Sequence, residues 1–203
     1  MLCARQELSI TYFAVSEVLT AAAFVAFGLW VLSPCVAPAV ARFSPVAALS
    51  RMLAAVSACQ LLRIACFTTT QLPGPAPHCM PGAPSARLPP AQSAADILLL
   101  NAARQVNRGC GDLIFSSHMT FVMTMALTYC RYGSWRAAKA LAWLLVALNG
   151  VIIIASRKHY TVDVVVALFT VPLVWEALST RLVDPPRANS SAGQLSSLLL
   201  LPR

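Results

Sequence analysis

The chain has 203 residues, of which 58% are hydrophobic and 11% charged, with a mean hydropathy of +0.70. Soluble domains carry roughly 25% charged and 45–50% apolar residues, so this composition argues against a soluble globular domain, a disordered chain or a disulfide scaffold. It fits an integral membrane protein of about one domain. The 15 Lys and Arg against 7 Asp and Glu give a net charge of +8. These basic residues stand singly at the edges of apolar runs, as membrane flanks do, so no nucleic-acid partner is expected.

A helical span needs roughly 20 mostly apolar residues. In chain order the sequence predicts spans over residues 10–32, 46–66, 117–129 with a leading 113–115, 137–155, and 162–178. The expected fold is therefore an all-α integral membrane helical bundle of about five transmembrane helices, a single domain over residues 1–183. Residues 71–90 are crowded with Pro and Gly and read as a loop. Residues 97–103 are apolar but too short to span. Residues 184–203 read as a disordered cytosolic tail with a leucine patch at 198–201.

Arg and Lys placement sets orientation. Arg42 and Arg51, the Arg131–Lys139 loop, and Arg181 and Arg187 fall on one side of a five-span chain, taken as cytosolic. Residues 71–112 and the turn at 157–160 then face the opposite, lumenal side, although Arg87, Arg104, Arg108, Arg157 and Lys158 weaken the bias. Seven cysteines are present. Cys79 and Cys110 fall in the lumenal segment, where either a bridge in an oxidising lumen or two free thiols fits. Cys35, Cys59, Cys66 and Cys130 read as small apolar residues in or near spans.

Ionisable groups within spans are costly and are functional candidates. His118 opens the third span and His159 the last, both at one membrane face. Asp163 follows His159 by four residues, on the same face of a helix. A carboxylate there can take a hydrogen bond from one imidazole nitrogen, fixing the tautomer and leaving the other lone pair free. Two such histidines suit nucleophilic substitution, one attacking and the other moving the proton of leaving group and acceptor. At a membrane surface the natural electrophile is a lipid phosphodiester, and Arg157 and Lys158 are placed to hold its oxygens. Plainer readings stand beside this one. A histidine at a span end can be an interfacial polar group, and Arg157 and Lys158 can be anchors. A His₂-carboxylate metal set lacks a fourth ligand. Glu17 and Glu176 have no assigned role.

The blocks Cys110-Gly111-Asp112-Leu113-Ile114-Phe115-Ser116-Ser117-His118 and Ser156-Arg157-Lys158-His159-Tyr160-Thr161-Val162-Asp163 resemble the two signature blocks of the sphingomyelin synthase-like family. Leu62-Arg63-Ile64, Thr70-Gln71-Leu72-Pro73-Gly74-Pro75 and His78-Cys79 resemble its plant-type subgroup, the inositol phosphorylceramide synthases. The resemblance covers about residues 10–183. It implies a six-span bundle related to the lipid phosphate phosphatases, of which this chain would lack the first span. It implies that His159, paired with Asp163, attacks phosphatidylinositol, that His118 protonates the departing diacylglycerol, and that ceramide then takes the phosphoinositol group. Arg157, Lys158, Asp112, Ser116 and Ser117 are expected near the substrate. No metal or nucleotide cofactor is implied, and the site would face the Golgi lumen. Oligomeric state is not legible.

Four other readings stay open: a lipid phosphate monoesterase, a phosphocholine transferase, a truncated non-catalytic ceramide binder, and a transporter using Asp163. The monoesterase would need a Lys…Arg-Pro block that is absent from the sequence. The transporter would need polar groups along several spans, whereas here they concentrate at one face.

Overall fold

Serine, proline and glycine mark several of the helix ends. A computed structural model of the chain describes residues 2–36, 43–70, 74–75 and 114–182. These form five helices: α1 Leu2–Val36, α2 Pro45–Thr69, α3 Ser117–Tyr132, α4 Arg136–Ala155 and α5 Thr161–Ser179. Ser44 caps α2, its hydroxyl accepting from Ala47 N at 3.4 Å, and Pro45 supplies the fixed φ that suits a first helical turn. Ser116 caps α3 in the same way through Met119 N at 3.4 Å. Gly133 ends α3, where a Cβ would stand 2.6 Å from Tyr129 O.

Among the described residues four helices are long and apolar enough to cross a membrane: 14–36 within α1, 45–66 within α2, α4 and α5. The expected third span differs. α3 has 16 residues, about 24 Å of helix. It lies at the centre, packed against all four other helices. Its Phe121, Met123 and Met125 side chains join a core with Met52, Val146, Ile153 and Val171. A short helix suffices there because its neighbours, rather than lipid, cover its sides.

Thr120, Thr124 and Thr128 run down one stripe of α3 and are wholly buried. Each hydroxyl donates to the carbonyl four residues earlier, at 3.0, 2.6 and 2.7 Å. Their polarity is thus satisfied within the helix, and their small size lets neighbouring backbones approach. Large apolar side chains such as Val25, Leu29, Phe169 and Leu173 face outward. An outer surface of this kind suits lipid and not water.

At the end of the bundle away from His118, Arg51 departs from its expected place as a flanking charge. It is buried, and its guanidinium donates to Tyr132 Oη at 3.1 Å, to Ser179 Oγ at 3.0 Å and to Leu182 O. One arginine thereby joins α2 to the ends of α3 and α5. Through Arg51, Tyr132 and Leu182 the described parts of the three basic regions grouped by the sequence come together at one end. The segments 97–103 and 184–203, Cys79, Cys110 and Asp112 lie outside the described residues, as does all but 74–75 of the 71–90 loop.

Candidate active site

α4 ends at Ser156, and the chain must turn sharply to begin α5 at Thr161. Arg157 makes that turn with φ 57°, the left-handed region disfavoured for a residue with a Cβ. Its N–H bonds Ile154 O at 3.0 Å and that of Lys158 bonds Ile153 O at 3.2 Å, closing the last turn of α4. The turn delivers His159 to the mouth of the bundle, 7% exposed.

Asp163 sits in the first turn of α5 and is wholly buried. Its Oδ2 accepts from Tyr160 N at 2.9 Å, satisfying a helix-start donor, and lies 3.3 Å from His159 Nδ1. The expected four-residue pairing is therefore present. With Nδ1–H directed at the carboxylate, His159 Nε2 keeps its lone pair. Burial lowers the basicity of His159, and the Asp163 carboxylate partly offsets that. At neutral pH the ring is in its uncharged, nucleophilic form.

The second histidine arrives on α3. Ser116 N donates to Asp163 O at 3.2 Å, so the starts of α3 and α5 are tied together. Arg63 on α2 donates through Nε to Phe115 O at 2.8 Å, tying a third helix to the same point. The His118 and His159 rings stand 6.3 Å apart between centroids, inclined by 70°. That spacing is too wide for the rings to bond one another and suits a phosphoryl group between them. Two helix N-termini also converge there, and the positive ends of their dipoles favour an anion.

Glu17 completes the cluster. Its Oε1 lies 3.3 Å from His118 Nε2 and also pairs with Lys158 Nζ. Lys158 is thus joined to Glu17 on α1, its side chain 7% exposed, and burial lowers its basicity while Glu17 raises it. Arg157 is exposed at the turn. Ser116 is a buried cap, and Ser117 begins α3 half-buried beside His118. The structure thus unites His118, His159, Asp163, Ser116, Ser117 and Lys158, and adds Glu17 and Arg63. Glu17 stood out in the sequence only as a carboxylate inside a span. No pattern tied it to residues 101 and 141 positions away.

Residues 109–180 match the family model described as PAP2 superfamily C-terminal. The match takes in α3, α4, α5 and both histidine blocks, about a third of the chain, and with the four long apolar helices it fits a multi-pass, all-helical membrane protein. Over most of its length the chain is similar to plant proteins. It is 47% identical over 88% of its length to a phosphatidylinositol:ceramide inositolphosphotransferase of Oryza sativa subsp. indica, covering 55% of that protein. It is 43% identical over 91% of its length to phosphatidylinositol:ceramide inositolphosphotransferase 3 of Arabidopsis thaliana, covering 63% of it. A phosphatidylcholine:ceramide cholinephosphotransferase 1 of Caenorhabditis elegans is 31% identical over 37% of this chain and 17% of its own length. The resemblance read from the motifs therefore holds across most of the chain. The chain spans between about half and two thirds of the length of these plant relatives.

Proposed function

We propose that the chain transfers the phosphoinositol group of phosphatidylinositol to ceramide, giving inositol phosphorylceramide and diacylglycerol. The observation that carries this reading is the His118–His159 pair, one ring backed by Asp163 and the other by Glu17. Two imidazoles, each oriented by its own carboxylate, fit a two-step displacement at phosphorus.

In the first step His159 Nε2 attacks the phosphorus. The P–N bond forms as the P–O bond to diacylglycerol breaks, and His118 gives a proton to the departing oxygen. In the second step His118 takes the proton from the ceramide hydroxyl. That oxygen attacks phosphorus, the P–N bond breaks and His159 is restored. Asp163 steadies the positive charge on the His159 ring during attack. Glu17 holds His118 through Nε2, leaving Nδ1, which is buried and without a partner among the described residues, to exchange the proton. The two helix N-termini and Arg157 supply attraction for the phosphodiester anion, with Lys158 acting through Glu17.

Inositol, and not choline, is supported by the plant relatives: the plant inositolphosphotransferases align over 85–91% of the chain, the choline enzyme over 37%. The site faces the lumen of the Golgi in this reading, and Arg51 with the loop between α3 and α4 lies at the cytosolic end. The test is incubation of membranes bearing the chain with fluorescent ceramide and either phosphatidylinositol or phosphatidylcholine, beside a His159→Ala variant. A phosphoinositol product made by the native chain and lost in the variant is expected. A product from phosphatidylcholine alone overturns the headgroup. Phosphate released from added phosphatidic acid, with no ceramide product from either donor, favours the monoesterase reading. Brief quenching should trap radiolabelled phosphoinositol on His159.

A further inference from the structure

Asn149 stands apart from the phosphoryl-transfer cluster, on α4, and is wholly buried. Its Oδ1 accepts from Thr20 Oγ1 of α1 at 3.4 Å. Its Nδ2, a group with two N–H donors, has no partner among the described residues. Inside a membrane protein no bulk water satisfies such a group, so an unmatched carboxamide is disfavoured and demands a reason.

An apolar cavity of about 180 Å³ opens between α1, α3 and α4. Ala23, Phe27, Val122, Ala126, Ala142 and Leu145 are among its walls. Ala23 and Phe27 follow Thr20 by three and seven residues, and Leu145 and Ala142 precede Asn149 by four and seven. Those spacings keep each set on one helix face. Glu17 precedes Thr20 by three residues, and Val122 and Ala126 follow His118 by four and eight. Along these helices the order is therefore Glu17 and His118, then Thr20 and Asn149, then the walls of the apolar hollow. At its far end Trp30 meets Tyr129 edge-on at 4.8 Å. Polar group, then amide-sized polar pair, then apolar hollow is the order of groups along an amide-linked lipid.

We propose that Thr20 and Asn149 bind the amide of the lipid acceptor, whose hydrocarbon chain fills the α1/α3/α4 cavity. Asn149 Nδ2 donates to the amide carbonyl. Thr20 Oγ1, whose hydrogen is directed at Asn149 Oδ1, accepts from the amide N–H. The lipid hydroxyl then lies at the level of His118. An ester-linked diacylglycerol offers carbonyls but no N–H, so it satisfies only half of the pair. The site therefore separates acceptor from leaving group by amide against ester. This deepens the transfer reading above and rests on it for the identity of the acceptor. A pair that merely glued α1 to α4 would need neither a spare donor nor a cavity beneath it.

The test uses a ceramide with a photoreactive diazirine in its acyl chain, added to membranes bearing the chain, with cross-linked peptides mapped after illumination. Label is expected on the α1, α3 and α4 segments that wall the cavity. Unlabelled ceramide should compete, and N-methylated ceramide and diacylglycerol should compete up to about tenfold less well, the effect of one lost hydrogen bond. Asn149→Leu and Thr20→Val, close in volume, should abolish that difference, and Thr20→Ser should retain it. In the transfer assay the same two variants should raise the KM for ceramide and leave that for phosphatidylinositol unchanged. Label elsewhere, or equal competition by amide and ester lipids on the native chain, overturns the proposal without need of any variant. Transfer that proceeds with unselective labelling sinks this site and spares the activity. Selective labelling without transfer does the reverse.

Discussion

Glu17 and His118 are 101 residues apart in the chain and 3.3 Å apart in the fold, carboxylate Oε1 to imidazole Nε2. The same carboxylate pairs with Lys158, one residue before His159. A single acidic side chain on α1 thus links the segments that carry both histidines. Glu17→Gln keeps the shape and an acceptor for Lys158 but removes the charge behind the His118 ring. We expect kcat to fall roughly ten- to a hundredfold, part of the effect of a general acid, with the KM for phosphatidylinositol little changed. A purely structural role for Glu17 would instead lower the amount of folded protein and leave kcat per folded molecule intact. Steady-state kinetics beside a thermal melt distinguish the two.

His159 owes its lowered basicity first to burial, and Asp163 pulls the other way. With the neutral ring as the proposed nucleophile, activity should be lost as pH falls through the His159 pKa. That acid limb should lie below the ordinary histidine value near 6.5. Asp163→Asn removes the group that raises basicity, so the limb of the residual activity should move to still lower pH. The overall rate should drop by about a hundredfold or more, because ring orientation and charge stabilisation go together. A pH–rate series on both forms checks this: a native limb above the ordinary value contradicts burial as the dominant cause, and a limb that moves upward in the variant contradicts the part given to Asp163.

Much of this site was legible because its key pair is local. His159 and Asp163 are one helical turn apart, and spacing alone brings them to one face. The spans were legible because apolar length is a one-dimensional signal. Three things were not. Glu17 acts through partners more than a hundred residues away, and nothing at residue 17 announces them. Arg51 read as a membrane-edge charge, because the composition of a flank does not reveal that Tyr132, Ser179 and Leu182 fold around it. The central position of α3 was hidden because apolarity registers length and not neighbours; its three buried threonines were the available sign, since such residues favour close helix contacts.

Arg51 supports the end of the bundle away from the histidines. Its three described hydrogen bonds come from one planar group in fixed directions. Arg51→Lys retains charge but offers donors from a single point, so it can satisfy fewer of them. We expect a loss of about 2 kcal/mol for Arg51→Leu, within the range for hydrogen bonds made by charged groups, and a smaller loss for Arg51→Lys. Melting in detergent reads this directly. The His159-dependent activity of the remaining folded protein should be preserved in both, since the residue touches no part of the site.

The turn at Arg157 offers a sharper test, because backbone and side chain make opposite predictions there. Its φ of 57° costs a residue with a Cβ about 1 kcal/mol relative to glycine. Arg157→Gly should therefore stabilise the α4–α5 junction by about that amount, and Arg157→Ala should not. The exposed guanidinium is the part placed to attract the phosphodiester. If it does so, both variants raise the KM for phosphatidylinositol by a similar factor, up to about tenfold, despite their different effects on melting. Added salt should narrow the gap between native and variant chains, as screening weakens an exposed charge. A KM unchanged in both variants would assign Arg157 to membrane anchoring alone and leave attraction of the phosphate to the helix N-termini.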